Sequence, residues 1–299
     1  MHTLTGHRRA VRTLAYAPAG PALLASAGDD HTIRLWSPAD RAELAALEGR
    51  RAGLLSLAFN ADGKYLVSGG RAGALQIWSV EARAEVEARA RCLGPVVAVA
   101  FTADGRAVLA GLRSQQYGGE PGRLTCFNLD PPHPVQWFDW DGDVESVAIA
   151  PSRDLFAVVG QHRGLELWDV ARPRPAEPAL WLPARVRALA FSPGPARLLA
   201  IASGRIVQLW DVAAARPTVR CVGHRGDVLA LAFTPDGQQL LTAGGDHSAR
   251  LWEADTGRPL ASWDWGLGSV LALAVAPDGM TAAAAGEKGP IVVWDVDDG

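Results

Sequence analysis

Cysteine is scarce in this chain, and long apolar runs are missing from it. The 299 residues contain only Cys92, Cys126 and Cys221, an odd and widely spaced set that argues against a disulfide framework or a zinc site. No apolar stretch approaches the ~18 residues of a membrane-spanning helix. Residues 1–12 contain no apolar segment of the kind that a secretory signal requires, so we expect a cytoplasmic protein that does not bind a membrane.

Lysine is nearly absent, and the motifs of several enzyme classes are missing. Lys64 and Lys288 are the only lysines, so arginine supplies 27 of the 29 basic residues. The formal net charge of −3 excludes a strongly basic nucleic-acid domain. The chain contains no GxGxxG, GxxxxGK[ST], HExxH or GxSxG motif. From these absences we predict no catalytic residue, no metal site and no cofactor.

A repeat of about 42 residues dominates what the chain does contain. Apolar stretches that end in an aromatic residue recur, and their last residues are Trp36, Trp78, Phe127, Trp168, Trp210, Trp252 and Trp294. The successive gaps are 42, 49, 41, 42, 42 and 42 residues. A second marker, VRTLAY at Val11 and its relatives as far as VLALAV at Val270, keeps the same period. Two markers with one period predict seven copies of one structural unit.

Each unit is predicted to form four β-strands. The second marker is short and rich in aliphatic residues, and a turn such as Asp62-Gly63 or Asp236-Gly237 follows most copies. A strand of small residues, the Trp-terminated strand and a more polar fourth strand come next, which leaves little room for helices. One such sheet cannot bury its own faces, so the units must stack against one another.

These motifs resemble those of the WD40-repeat β-propeller family, and the chain looks similar to its bacterial members. Trp-Asp pairs begin at Trp168, Trp210 and Trp294, and Gly-His pairs begin at Gly6 and Gly223. The resemblance covers residues 1–299 as a single domain and implies an all-β, seven-bladed β-propeller with four antiparallel strands per blade. In this family the N-terminal segment forms the outer strand of the last blade. We therefore expect residues 2–5 to close the ring beside the strand that ends at Trp294.

The resemblance also implies a structural relay in two of the blades. In the family, the indole N–H meets a hydroxyl, the hydroxyl meets a histidine, and the histidine meets an aspartate in a turn. The matching residues are His7, Ser26, Asp30 and Trp36 in blade 1, and His224, Thr242, Asp246 and Trp252 in blade 6. A Ser-His-Asp hydrolase is the alternative, but a catalytic triad would seldom occur twice at the repeat period.

The remaining blades lack parts of this relay. We expect hydrophobic stacking alone to hold Trp78 in blade 2, because Ala72 stands at the aspartate position. Residues 138–144 and 263–270 look alike, and their tryptophans, Trp140 and Trp265 among them, are expected to fill the space that Gly-His fills elsewhere. An exposed aromatic anchor for a partner is the alternative.

In this family, partners commonly dock on the ring face formed by the loops before the first strand and between the second and third. The resemblance carries to that face one equivalent residue from each blade, together with Arg71 and with Tyr117 in an insertion of blade 3. The equivalent residues are Arg12, Leu55, Val97, Glu145, Arg187, Leu229 and Leu271. Neighbouring charges predict a rim that is basic over blades 1 and 2 and acidic over blade 4; an ordinary solvated loop surface is the alternative.

The function that follows is a non-enzymatic scaffold that binds one or more proteins or peptides by multivalent docking. A propeller that binds a small ligand or performs catalysis in its central channel is one alternative, although the predicted first strands offer mostly Ala, Val and Leu. Nucleic-acid binding through the Arg-rich rim is another, and the acidic rim of blade 4 argues against it.

Overall fold

The computed structural model describes residues 1–20, 22–49, 53–92, 94–114, 122–129, 134–138, 140, 142–151, 155–160, 164–169, 185–194 and 198–297. Within these residues the regular elements are 27 β-strands. No helix of this part of the chain is long and apolar enough to cross a membrane.

Seven antiparallel sheets hold the described strands, and each sheet is called a blade. The chain begins with β1 (His2–Leu4), which belongs to the last blade. Blade 1 contains β2 (Val11–Tyr16), β3 (Leu24–Gly28), β4 (Thr32–Ser37) and β5 (Ala42–Glu48). Blade 2 contains β6 (Leu54–Phe59), β7 (Tyr65–Gly70), β8 (Ala74–Ser79) and β9 (Ala84–Arg91). Blade 3 contains β10 (Val96–Phe101), β11 (Ala107–Leu112), β12 (Leu124–Asn128) and β13 (Pro134–Trp137).

The second half of the chain repeats the arrangement. Blade 4 has three described strands, β14 (Val144–Ile149), β15 (Leu155–Gly160) and β16 (Gly164–Asp169). Blade 5 contains β17 (Val186–Phe191), β18 (Leu198–Ser203), β19 (Ile206–Asp211) and β20 (Arg216–Val222). Blade 6 contains β21 (Val228–Phe233), β22 (Gln239–Gly244), β23 (Ala249–Glu253) and β24 (Pro259–Trp263). Blade 7 contains β25 (Val270–Val275), β26 (Thr281–Gly286), β27 (Ile291–Asp295) and, as its outer strand, β1.

The ring closes as the sequence predicts. In blade 7, β1 pairs antiparallel with β27, and His2, Thr3 and Leu4 face Val293, Val292 and Ile291. The first strand of each blade contacts the first strand of the next, and β25 of blade 7 contacts β2 of blade 1. The expected seven-bladed β-propeller is therefore confirmed.

The hydrophobic core lies between the blades. Seven apolar clusters are found among the described residues, and each joins two neighbouring blades. Because both faces of a blade are covered, β3 is buried at all five of its positions. Small residues are needed where blades approach closely: a Cβ on Gly69 of blade 2 would lie 2.5 Å from Cγ1 of Val96 in blade 3.

Candidate functional site: the relay blades and the mouth of the channel

Blade 1 contains a continuous chain of buried hydrogen bonds. The indole Nε1 of Trp36 lies 2.8 Å from the Ser26 hydroxyl, which lies 2.7 Å from Nε2 of His7. Nδ1 of His7 lies 3.0 and 2.9 Å from the two carboxylate oxygens of Asp30. Asp30 also accepts the backbone N–H of Arg8 and the hydroxyl of Thr32. These contacts join the loop before β2 to β3, to β4 and to the turn between them.

Chemistry decides the direction of each bond in this chain. An indole N–H can only donate and a carboxylate can only accept, so Ser26 donates to Nε2 of His7, and Nδ1–H of His7 donates to Asp30. Burial lowers the pKa of His7, and this outweighs the opposing charge and hydrogen bond of Asp30. Burial acts to raise the pKa of Asp30, but the charge and hydrogen bond of His7 and the N–H of Arg8 lower it overall. His7 is therefore neutral and Asp30 ionised at neutral pH.

Blade 6 repeats the same chain with threonine in place of serine. Trp252 Nε1 lies 2.8 Å from Oγ1 of Thr242, which lies 2.7 Å from Nε2 of His224, and Nδ1 of His224 lies 3.0 Å from both carboxylate oxygens of Asp246. A glycine precedes the relay histidine in both blades. A Cβ on Gly223 would lie 3.0 Å from Cη2 of Trp252, and a Cβ on Gly6 would lie 3.0 Å from Cη2 of Trp36. That close approach explains the Gly-His pair.

Blade 2 departs from the prediction that stacking alone holds its tryptophan. The indole N–H of Trp78 donates to the Ser68 hydroxyl over 2.9 Å, which makes the expectation wrong for this bond. Ser68 faces Gln76 in the strand register as Ser26 faces Arg34 in blade 1. Blade 2 therefore keeps the hydroxyl of the relay, at Ser68, although alanine replaces the aspartate at position 72.

Blades 4 and 7 contain aromatic rings in the segment before their first strand. Trp140 precedes Val144 by four residues, as His7 precedes Val11, and its buried ring donates to the carbonyl of Gly142 over 3.0 Å. Blade 4 has Val158 at the hydroxyl position, and Trp168 donates to Glu166 instead.

In blade 7, Trp265 packs on Trp294 with ring centroids 4.5 Å apart, and Trp263 stacks on Trp265 at 5.9 Å. Ala284 stands at the hydroxyl position, and the buried Nε1 of Trp294 has no hydrogen-bond partner among the described residues. The side chain of Trp137, and Trp181 altogether, lie outside the described residues.

The first strand of every blade carries a β-bulge at one position. In blade 1 the register shifts between Val11 and Thr13, which leaves Arg12 out of the ladder, and the same shift recurs in the other six blades. A bulge redirects a side chain and commonly does so at functional surfaces. The seven bulge residues are the seven equivalent residues predicted from the sequence: Arg12, Leu55, Val97, Glu145, Arg187, Leu229 and Leu271.

These seven bulge residues meet at one end of the central channel. Together with the residues that follow them on the first strands they line a cavity of about 240 Å³, which we call the mouth cavity. Leu55, Val97, Leu229 and Leu271 are half-buried, and they line the cavity from four blades. Tyr117 lies outside the described residues, so its position relative to the mouth cavity is not part of the structure.

The two charged regions expected on the rim contain ion pairs within the protein. On blade 1, Asp29 accepts from Arg12 over 2.5 and 2.9 Å and lies 3.5 Å from Arg71 of blade 2. On blade 4, Glu145 pairs with Arg113 and Arg185, and its side chain is only 3% exposed. Glu145 therefore takes part in an internal ion-pair group although it lines the mouth cavity, and its role as a contact residue stays a prediction. The expected basic and acidic patches stay predictions as well.

Sequence reasoning missed the partners of the bulge charges. Asp29 directly precedes the relay aspartate Asp30, and the motif assigns a role only to Asp30. Arg113 and Arg185 each belong to a different blade from Glu145. Arg185 lies two residues before the bulge residue Arg187, and this position in the sequence indicates that its side chain lies near the bulge residues. Among the described residues no group of three His, Cys, Asp or Glu side chains is placed to hold a metal ion.

The fold and the bulge pattern define the protein as a seven-bladed β-propeller. The family model "WD domain, G-beta repeat" matches residues 1–37, 42–79 and 216–253. The protein is thus a seven-bladed β-propeller in which three segments match WD40 repeats, as the motifs indicate. The three matched segments end beyond the tryptophan, at Ser37, Ser79 and Glu253. They contain Trp36, Trp78 and Trp252, whose indoles donate to a buried hydroxyl.

Two curated relatives match short stretches of the chain. Polycomb protein EED of Chaetomium thermophilum is 43% identical over 72 residues, which cover 22% of this chain and 13% of that protein. Coronin-7 of Mus musculus is 37% identical over 65 residues, which cover 22% of this chain and 7% of that protein. The matches therefore span only a small part of either relative.

Proposed function

We propose that this protein is a non-enzymatic platform that docks other proteins or peptides at the mouth cavity. The observation that carries the proposal is convergence, because seven bulges bring one side chain from each blade to the same concavity. A partner segment placed there contacts several blades at once. Concave surfaces at which several structural elements meet and present a few charged groups are typical of binding sites. The similarity to WD40 repeats supports the same function.

Catalysis by the Ser26–His7–Asp30 group is not part of the proposed function. Ser26 is fully buried, and its oxygen already accepts the indole N–H of Trp36. A nucleophilic serine needs an oxygen that a substrate can reach. The group therefore supports a structural role, in which buried polar atoms satisfy one another.

We also propose that the protein works in the cytoplasm. All three cysteines are unpaired. Burial raises the pKa of Cys92 to about 12 and that of Cys126 and Cys221 to about 11, so the thiols stay protonated. Unpaired buried cysteines are typical of proteins from reducing compartments.

The docking proposal is tested by substituting the aliphatic bulge residues. Leu229→Arg and Leu271→Arg place a long charged side chain at positions where blades 1 and 5 already carry arginine, so the bulge itself tolerates the change. We expect partner capture from native cells, quantified by mass spectrometry, to fall at least fivefold. Leu260→Arg, on the outer strand of blade 6, is the control and should leave capture unchanged. Equal capture by all three variants would contradict docking at the mouth cavity.

A further inference from the structure

One charged bulge residue of the mouth cavity differs from the other two. Arg12 is held by Asp29, and Glu145 is held by Arg113 and Arg185. Arg187 of blade 5 has no such carboxylate among the described residues, and its buried Nε has no hydrogen-bond partner. Arg187 thus lines the mouth cavity with a guanidinium that no carboxylate of the described residues meets.

A second unsatisfied group lines the same cavity. Ser56 of blade 2 is only 8% exposed, and its hydroxyl has no hydrogen-bond partner. A buried donor without an acceptor destabilises the fold, so such groups are uncommon in native structures. A Cβ on Gly69 would lie 2.6 Å from the Ser56 oxygen, so that hydroxyl faces the neighbouring strand. The group in the cavity that points to a ligand accepting hydrogen bonds is therefore Arg187.

We propose that the mouth cavity binds an aspartate or glutamate side chain of a partner peptide, next to an aliphatic residue of the same peptide. This inference rests on the proposed function and names the partner class that the cavity selects. The carboxylate accepts from Arg187, since a guanidinium matches a carboxylate with two parallel hydrogen bonds. The neighbouring aliphatic side chain packs on Leu229 and Leu271, which line the same cavity.

The charges around the cavity favour an anionic group. Arg113 and Arg185 together face the single carboxylate of Glu145, and Arg187 adds a further positive charge on the same side of the mouth. Complementary charge at a partly buried position orients a partner and discriminates against basic sequences.

The size and lining of the cavity argue for a peptide over a nucleic acid. About 240 Å³ is below the range of drug-sized pockets, and it accommodates one or two side chains. Nucleic-acid binding needs a basic surface that follows a phosphate backbone, whereas Asp29 lies between Arg12 and Arg71 on this face.

The experiment begins with a random nonapeptide library displayed on phage, with amidated synthetic copies for measurement. Selection on the intact native protein should enrich peptides that contain Asp or Glu beside Leu, Ile or Val. Enrichment of neutral or basic peptides, or of none, would overturn the acidic-peptide inference. Docking itself is judged separately by the Leu229→Arg and Leu271→Arg capture experiment, so the two proposals can fail independently.

Fluorescence anisotropy then locates the contact. We expect Arg187→Gln to weaken binding of an enriched peptide about tenfold, as loss of one charge-assisted interaction predicts. Ser56→Ala should weaken it less, and Arg205→Gln, an exposed charge of the same blade outside the cavity, should change it less than twofold.

Replacing the acidic residue of the peptide with glutamine should abolish the difference between native protein and Arg187→Gln. Equal effects of Arg187→Gln and Arg205→Gln would overturn the inference. So would displacement of the peptide by an equimolar single-stranded oligonucleotide, which would favour a nucleic acid. Thermal unfolding of each variant shows that the fold is retained.

Discussion

Blades 6 and 7 stand side by side and hold the same tryptophan in different ways. In blade 6, Trp252 is buried against blade 5 and donates to Thr242, which is bonded in turn to His224. In blade 7, Trp294 is buried against blade 6 and is covered by Trp265. Blade 6 thus holds its tryptophan by directional hydrogen bonds, whereas blade 7 holds its tryptophan by packing aromatic rings against it.

This difference shows that every blade must fill the space beside its third strand, whereas only some blades do so with a hydrogen-bond relay. Each blade must fill the space between its third strand and the preceding blade, because an unfilled cavity costs packing energy. The hydrogen-bond relay is one solution, and it needs a hydroxyl at the position of Thr242. Where alanine stands there, as at Ala284, an aromatic residue in the preceding loop supplies the volume.

The largest expected effect comes from removing the tryptophans themselves. Trp252→Ala should lower the free energy of unfolding by about 3–5 kcal/mol, because it removes a large buried side chain. Trp294→Ala should cost about 1 kcal/mol less, since its Nε1 has no partner to lose. Urea denaturation followed by fluorescence measures both. An equal loss would show that the relay bond adds nothing to packing.

Trp78→Ala extends this comparison to blade 2. The substitution leaves the buried Ser68 hydroxyl without its indole donor, whereas in Trp252→Ala the Thr242 hydroxyl still meets His224. We therefore expect Trp78→Ala to cost as much as Trp252→Ala, about 3–5 kcal/mol in the same denaturation experiment. A markedly smaller loss at Trp78 would mean that its hydrogen bond is weak.

A smaller effect is expected when only the hydroxyl is removed. Thr242→Val keeps the shape but leaves Trp252 and His224 without their shared partner, and should cost about 1–3 kcal/mol in urea denaturation. Thr125→Val in blade 3 is the matched control, because Thr125 is fully buried and its hydroxyl has no hydrogen-bond partner. The control should be neutral or stabilising. A similar loss at both sites would remove the relay from the explanation.

Introducing a hydroxyl into blade 7 tests the comparison of blades 6 and 7 in the opposite direction. Ala284→Ser places an oxygen where Ser26 and Thr242 stand in the relay blades, within the same strand register. The indole N–H of Trp294 should then gain an acceptor, and the protein should gain about 0.5–1.5 kcal/mol in stability. A lower melting temperature would show that the aromatic packing leaves no room for the hydroxyl.

The smallest expected effect is a difference in pH dependence. Burial lowers the pKa of His7 and His224, so the unfolded chain takes up protons more readily than the folded protein. Stability should therefore be fully present above about pH 6.5 and decline as the pH falls below it. The double variant His7→Gln and His224→Gln should lose this part of the slope between pH 6.5 and 5.

The carboxylates of the relay act in a separate and more acidic range. The pKa values of Asp30 and Asp246 are lowered overall in the fold, so their contribution is present above the unfolded value near pH 3.9 and is lost below it. Urea denaturation midpoints of the native protein and the double variant at pH 7.5, 6.5 and 5.5 report the histidines alone, because the carboxylates stay ionised over this range. An unchanged slope in the double variant would contradict the assignment.

The architecture could be predicted because its markers repeat along the chain, and the relay because residues of blades 1 and 6 match the motif of the family that the chain resembles. The positions of Trp36 and Trp252, and the histidines and aspartates around them, recur at one period, and a closed ring follows from stacking sheets that are apolar on both faces. The bond from Trp78 to Ser68 escaped prediction because one relay member, the hydroxyl, persists in blade 2 after the aspartate is lost.

Sequence alone determined the number of blades, the outer strand that β1 adds to blade 7, and the seven equivalent positions of the first strands. Only the tertiary structure decided which charges at those positions are free. Asp29 pairs with Arg12 of its own blade and with Arg71 of the next. Arg113 and Arg185 pair with Glu145 across blade boundaries, and no periodic pattern encodes such pairs. Local periodicity follows from backbone pairing and burial, whereas an ion pair depends on where the closed ring places two distant side chains.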